Sequence, residues 1–289
     1  MKRTAEEIMQ SAHARVAQIV ASAEQKAAEQ PRQMFLPGLE DFMRAMPNHI
    51  ARSSLFAPVA RGRRRLHDGT VLESRADAEI RYSGRQLDEA QADVWMQAMQ
   101  EAQRRPLGEP VTINRLAFLR AIGRADSGQN YQWLHRTMQD LAFGMLVIEV
   151  KKSDGRTKLS IGKTRALHLI AGFDYDDQTE TYTLMIDPRW HAMYGNREFA
   201  LVDWDKRLQM GRGHDMAKSL QRLVATSADK VQRYSLEYLK ARAQSEGRMR
   251  DFRAALEAGM RELERMGIIS GARIETSTRG IEQVVWTRL

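Results

Sequence analysis

The chain has 289 residues, carries 45 Lys or Arg against 37 Asp or Glu for a net charge of +8, and contains no cysteine. That length holds two domains of ordinary size, each able to bury its own core, and the missing cysteines exclude disulfides, thiolate metal sites and cysteine nucleophiles. The positive balance suits a phosphate-bearing partner more than a membrane: no apolar run approaches the ~20 residues of a spanning helix, and Met1-Lys2-Arg3-Thr4-Ala5-Glu6-Glu7 lacks the apolar centre of a secretory signal, so the cytoplasm is the expected location.

Ile8, Ala12, Val16, Ile19 and Ala23 recur at helical spacing until Pro31, so residues 1–44 read as an N-terminal helical arm and linker. Within it, Gln33-Met34-Phe35-Leu36-Pro37-Gly38-Leu39 sets adjacent large apolar side chains among polar residues and turn formers. Docking on the following domain and presentation to a partner are both open readings, although apolar groups are usually buried in their own chain. A first domain follows over residues 45–195. Its basic run, Arg61-Gly62-Arg63-Arg64-Arg65, is either a solvated loop or a contact to phosphate and minor groove. A helix is predicted from Gln86 to Ala102 with Leu87, Ala90, Val94, Met96 or Ala98, and Met99 inward, broken by Leu107-Gly108-Glu109-Pro110.

Val111-Thr112-Ile113 is β-prone, and Asn114 is placed to cap a helix from Arg115 to Ile122 that buries Leu116, Leu119 and Ile122 before Gly123 ends it. A third helix starts at Ser127 or Gly128 with Tyr131, Leu134, Met138 and Leu141 inward. Gln129, Gln132, Trp133 and Arg136 are left on its outer face. After Gly144, the runs 147–150 and 158–161 pair across a turn whose Asp154-Gly155 is a hairpin signal and whose Lys151, Lys152 and Arg156 give the wing its charge. Two more strand-like runs, His168 to Tyr175 and Thr181 to Ile186, are expected to enlarge that sheet. The acids between them, Asp174, Asp176, Asp177 and Glu180, lack calcium-loop spacing and read as a polar hairpin turn.

The plan then repeats over residues 196–289. Met216 to Val224 forms a helix with Leu220 and Leu223 inward, Tyr234 to Leu239 a short second helix capped by Ser235, and Arg248 to Met266 a long third one burying Phe252, Leu256, Met260 and Leu263. A closing hairpin pairs Ile268 to Ile274 with Glu282 to Thr287, and Arg248, Arg250 and Arg253 stand at the amino end of the long helix. Leu134, Met138 and Leu141 before Gly144 match Leu256, Met260 and Leu263 before Gly267, a stepping that holds one helix face on a core until a glycine ends it. The predicted architecture is α+β: two tandem winged-helix domains, each a helix-turn-helix plus β-hairpin wing, behind the helical arm.

Ten Lys or Arg against four acids lie between Val111 and Arg165, so this segment holds +6 of the chain's +8. Charge gathered on one helix-turn-helix and its wing is what counterion release from duplex DNA requires. Gln129, Gln132 and Arg136 have the directional donors and acceptors that read adenine and guanine edges, whereas Trp133 either meets a thymine methyl or packs on a neighbouring element. The candidate DNA contacts are Arg63, Arg64, Arg65, Arg124, Gln129, Gln132, Trp133, Arg136, Lys151, Lys152, Arg156, Arg248, Arg250 and Arg253. There is no His-Glu-x-x-His, phosphate-binding Gly-x-x-x-x-Gly-Lys or Gly-x-Ser-x-Gly sequence, so no catalytic residue, metal or cofactor is expected.

Phe42-Met43-Arg44-Ala45-Met46-Pro47-Asn48, then Ala51-Arg52-Ser53-Ser54-Leu55-Phe56, resembles the start of the conserved region in the TrfA family of plasmid replication initiators. Gly108-Glu109-Pro110-Val111-Thr112 before the first helix-turn-helix, and Phe252-Arg253, Glu262-Leu263 and Gly267-Ile268 near the end, extend the resemblance over residues 33–289. It implies two winged-helix domains that bind direct repeats, called iterons, at a plasmid origin, open the neighbouring AT-rich DNA and engage the host initiator and helicase. It also implies self-association to dimers, and restraint of copy number by dimers or by iteron-bound pairs. Gln33-Met34-Phe35-Leu36 falls where family members carry a sliding-clamp motif, with Gln33 and Leu36 retained and Pro37 replacing the final aromatic. A winged-helix repressor on repeated operators is the alternative function, and an adaptor whose winged helices bind protein a third.

Overall fold

The computed structural model describes residues 43–59, 62, 64–103, 105, 108–194 and 198–289. The expected arm, the Gln33 to Leu36 segment and Arg63 lie outside the described residues. The chain enters on a strand, β1 (Met43–Pro47), that pairs antiparallel with β12 (Phe199–Asp203), far along the sequence. A short helix α1 (Asn48–Arg52) and β2 (Phe56–Ala57) follow, then a hairpin of β3 (Leu66–Leu72) and β4 (Ala78–Arg85). This hairpin is not legible in the sequence: β3 is an edge strand with mostly exposed residues, so its apolar alternation is weak.

β5 (Leu87–Asp88) pairs in parallel with β2, and the helix α2 (Glu89–Ala102) starts three residues later than expected. The reason is a capping box: the Asp88 carboxylate accepts from the Gln91 amide at 2.9 Å while the Gln91 side chain accepts from the Asp88 amide at 3.0 Å. β6 (Val111–Asn114) leads into α3 (Arg115–Ala121), whose first turn is closed by Asn114 accepting from Ala117 N at 3.0 Å. Here the expected inward face is rotated. Phe118, Leu119 and Ile122 are buried while Leu116 is half-buried, because Phe118 and Ile122 are one turn apart and share the face that meets the core.

The long helix α4 (Gly128–Phe143) buries Leu134, Met138 and Leu141 as expected. Tyr131 is half-buried instead of in the core, with its hydroxyl donating to Asp126 and its ring beneath Arg115. β7 (Met145–Lys151) and β8 (Thr157–Ile161) form the predicted hairpin, and β7 joins β4 to give a sheet in the order β3-β4-β7-β8. The run from His168 to Tyr175 is two strands, not one. β9 (Leu167–His168) pairs with β7, but after buried Leu169 and Ile170 the chain turns, and β10 (Gly172–Asp176) and β11 (Thr181–Met185) join β6 in a separate three-stranded sheet. The strand at Val111 recruits β10 and β11, so of the two expected runs only β9 enlarges the wing sheet.

A 3-10 turn (Pro188–Trp190) and α5 (His191–Tyr194) lead to β12, then α6 (Trp204–Gln209) and α7 (Asp215–Val224). Tyr234, expected in a helix, is in a strand: β13 (Val231–Ser235) pairs with the last strand, and the helix α8 (Leu236–Arg242) begins after Ser235, whose hydroxyl accepts from Tyr238 N at 3.2 Å. The helix α9 (Met249–Arg265) and the hairpin of β14 (Ile269–Thr276) and β15 (Glu282–Arg288) finish the chain. A core made only from residues 210–286 joins Leu220 and Leu223 of α7 to Leu256, Met260 and Leu263 of α9 and Trp286 of β15. The boundary expected between residues 195 and 196 is crossed by the β1–β12 pairing and by buried ion pairs, and all the described residues fall in one compact unit.

Candidate nucleic-acid interface

The first surface is built on α4. Gly123, at φ +69°, turns the chain out of α3, and the Ser127 hydroxyl accepts from Asn130 N at 3.2 Å to start α4. Gln129, Gln132 and Arg136 are exposed on one side of it and have no hydrogen-bond or ion-pair partner among the described residues. Their donors and acceptors are therefore available to a ligand. Trp133 is half-buried, with the Arg124 guanidinium stacked 3.3 Å above its ring. Burial lowers the Arg124 pKa, and so does the like charge of Arg212, which reaches it from the loop between α6 and α7. Arg212 is an exposed cation with no sequence signal of its own, since only the packing of α6 near the α3–α4 turn brings it there.

Arg115 does different work from its neighbours. Its guanidinium lies 3.5 Å above the Tyr131 ring, donates to the Tyr175 hydroxyl at 2.6 Å and pairs with Glu180 at 2.6 Å. It thereby ties the start of α4 to the β10–β11 hairpin. Of the four acids noted near that hairpin, Asp174 and Asp176 belong to β10 and Asp177 and Glu180 to the turn, where Asp176 accepts from the Gln178 and Thr179 amides and those hydrogen bonds hold its carboxyl below the usual range.

The wing is the β7–β8 turn, closed by Lys152 N to Arg156 O at 2.8 Å with Gly155 at φ +80°. Lys151 and Lys152 are exposed and unpaired among the described residues, whereas Arg156 reaches Asp154 at 3.4 Å. Lys158 and Lys163 are neutralised by Glu198 and Glu149. In the basic run, Arg64 is largely buried against Asp88 and Arg65 pairs with Glu246 at 2.8 Å. Arg64 is a strut beneath α2 and leaves the set of exposed cations.

The second surface, on α9, is more self-neutralised. Arg248 and Arg250 are exposed and share Asp251 at 3.1 and 3.4 Å, and Arg253 is gripped by both oxygens of Glu282 at 2.6 and 2.7 Å. The hairpin tip adds exposed Arg279, beside Gly280 at φ +76°. Among the described residues no group of His, Asp or Glu is arranged to hold a metal ion, and no helix is long and apolar enough to cross a membrane.

A mixed α+β chain in which a helix-turn-helix precedes a β-hairpin, with unpaired polar and basic side chains on the long helix, has the winged-helix pattern of DNA-binding proteins. The solved structures agree at the level of fold. Domains 2 and 3 of RctB are similar with a TM-score of 0.55 at 12% identity over 84% of this chain and 98% of that one. A second crystal structure of the same domains gives a TM-score of 0.50 at 12% identity over 84% and 97%. The TrfA protein family matches residues 1–278, and the chain belongs to that family. The plasmid replication initiator protein TrfA of Escherichia coli is 26% identical over 172 residues, which is 57% of this chain and 43% of that relative. The match thus spans less than half of the relative's length.

Proposed function

We propose that the protein is a plasmid replication initiator that binds direct repeats at its origin through two winged-helix units, α3–α4 with the β7–β8 wing and α8–α9 with the β14–β15 wing. The observation that carries this reading is the row Gln129, Gln132 and Arg136, exposed and unpaired on the long helix of a TrfA-family chain. Each can form bidentate contacts with a base edge, and Lys151 and Lys152 on the adjoining wing suit phosphate. No catalytic step is part of the proposal. Opening of the origin draws on binding energy, of which a bend over a few helical turns takes about 1 to 6 kcal/mol. The host initiator and helicase are the further partners, and self-association to a dimer limits copy number.

The test is fluorescence anisotropy on the plasmid's own repeat duplex and a scrambled duplex across a salt series. Strong preference for the repeats with a steep salt slope supports the reading. Equal and weak binding to both discards it in favour of a protein-binding adaptor. Repeat binding without strand opening on a supercoiled origin leaves a repressor. For Gln33 to Leu36 we propose contact with the host sliding clamp, as an extended peptide anchored by apolar residues. Replacing Gln33 and Leu36 with alanine then abolishes clamp association while DNA affinity is kept, and equal clamp binding by variant and parent rejects the assignment.

A further inference from the structure

Two pairs of charged residues face each other between the halves of the molecule. Glu89 and Asp93 are one turn apart on α2, Lys218 and Arg222 one turn apart on α7, and Arg207 of α6 lies between them. Glu89, Arg207 and Arg222 have no exposed side-chain surface at all. Arg207 pairs with Glu89 at 2.9 Å and also with Asp93, while Lys218 meets Asp93 at 3.0 Å. Arg222 donates to both oxygens of Glu89, one of them at 3.1 Å, and to the Phe56 carbonyl at 2.8 Å.

Each side of this cluster is tied to one long helix. On the α2 side, Gln91 donates to Asp140 of α4 at 2.9 Å. On the α7 side, Leu220 and Leu223 share the core with Leu256 and Met260 of α9, and the helices approach so closely at Gly259 that a Cβ there would lie 2.8 Å from Met216 Cγ. A junction filled by apolar side chains of similar volume is commonly no less stable than a buried ion pair, so stability alone gives no reason for this one. What charges add is register. Sliding α7 by one turn along α2 would bury unpaired ions, whereas apolar surfaces tolerate intermediate positions.

We propose that the Glu89–Asp93 and Arg207–Lys218–Arg222 cluster is a ruler that fixes the separation of the α4 and α9 recognition helices, and so the distance between the two stretches of DNA that one molecule contacts. Glu89, Asp93, Arg207 and Arg222 are positioning residues and touch no base. The inference rests on the reading that both winged helices bind one duplex.

The test uses the full chain and duplexes with one, two or three base pairs inserted between the two contacted stretches, each pair displacing one stretch by about 3.4 Å. The parent should lose about tenfold or more in affinity for a single insertion, the size of one mismatched position. A filled variant, Glu89→Leu with Arg207→Met and Arg222→Leu, should bind the uninserted duplex more weakly and lose much less on insertion. A variant that keeps the parent's steep spacing profile overturns the ruler while leaving repeat binding intact. A parent that binds repeat and scrambled duplexes alike overturns both. A measurement on the otherwise unaltered chain does not depend on how the variant folds. Because the chain has no cysteine, Gln129→Cys with Arg250→Cys places spin labels at these two positions alone. A narrow label-to-label distance distribution in the free protein is expected, and a broad one overturns the ruler.

Discussion

Arg136 and Arg253 illustrate how one residue type divides between a side chain left unpaired at the surface and one fixed by an internal carboxylate. Both are expected at a DNA surface from their places on a long helix, but Arg136 is exposed and unpaired whereas Arg253 is fixed by two short bonds to Glu282. Arg136→Ala should weaken repeat binding by about 1 to 3 kcal/mol and lower the ratio of repeat to scrambled affinity. An unchanged ratio in competition anisotropy would remove it from the base-reading set. Gly162 carries a prediction about stability alone. It sits at φ +94°, and a Cβ there would lie 2.2 Å from the Leu146 carbonyl oxygen, a backbone atom that cannot step aside cheaply. Gly162→Ala should cost about 1 to 3 kcal/mol or more, read as a lower urea midpoint. The sequence marks Gly162 only as a glycine; the close approach of β7 is what makes it necessary.

For the elements, capping decides where a long helix begins. Ser127 closes the first turn of α4, so Ser127→Ala should lower stability by about 1 kcal/mol in chemical denaturation. Asn114, Ser127 and Ser235 are legible as caps because their short polar side chains precede apolar periodic runs. The α2 start is not, because Gln86 and Leu87 continue a plausible helical pattern and only the Asp88–Gln91 capping box ends the strand there. The β7–β8 wing is legible through Asp154-Gly155, and its two unpaired lysines set a salt prediction. Lys151→Ala with Lys152→Ala should reduce the slope of log affinity against log salt by about 0.9 for each phosphate that is no longer neutralised, with little change in the preference for repeats. A preserved slope would place the wing away from the duplex.

At the scale of the molecule, the ion cluster ties stability to pH. Burial alone would raise the Glu89 carboxyl, but Arg222 and Arg207 outweigh it and hold the group down from 4.5 to about 2. Its contribution is therefore complete above the ordinary carboxylate range and disappears as pH falls from 4.5 towards about 2. Burial raises the carboxyls of Asp140 and Asp215, which shift stability the other way. The comparison that isolates Glu89 is thus the parent against Glu89→Gln: the gap in denaturant midpoint should close as pH drops through that window. A gap independent of pH would mean that the cluster is held by packing and not by charge.

Local signals determined the helix-turn-helix and hairpin units, the exposed face of α4 and the family resemblance, because periodicity, caps and turn residues act over a few positions. The partners of β1, β6 and β9 were decided only by the tertiary structure, as was the sheet that the β10–β11 hairpin joins, since a strand's apolar pattern does not say which distant strand completes it. The same holds for the cations. Sequence supplies the excess of +8, but whether an arginine faces solvent, as Arg136 does, or is spent on an internal carboxylate, as Arg64, Arg207 and Arg222 are, depends on acids brought near by folding. Charge is a property of the residue, and its availability is a property of the fold.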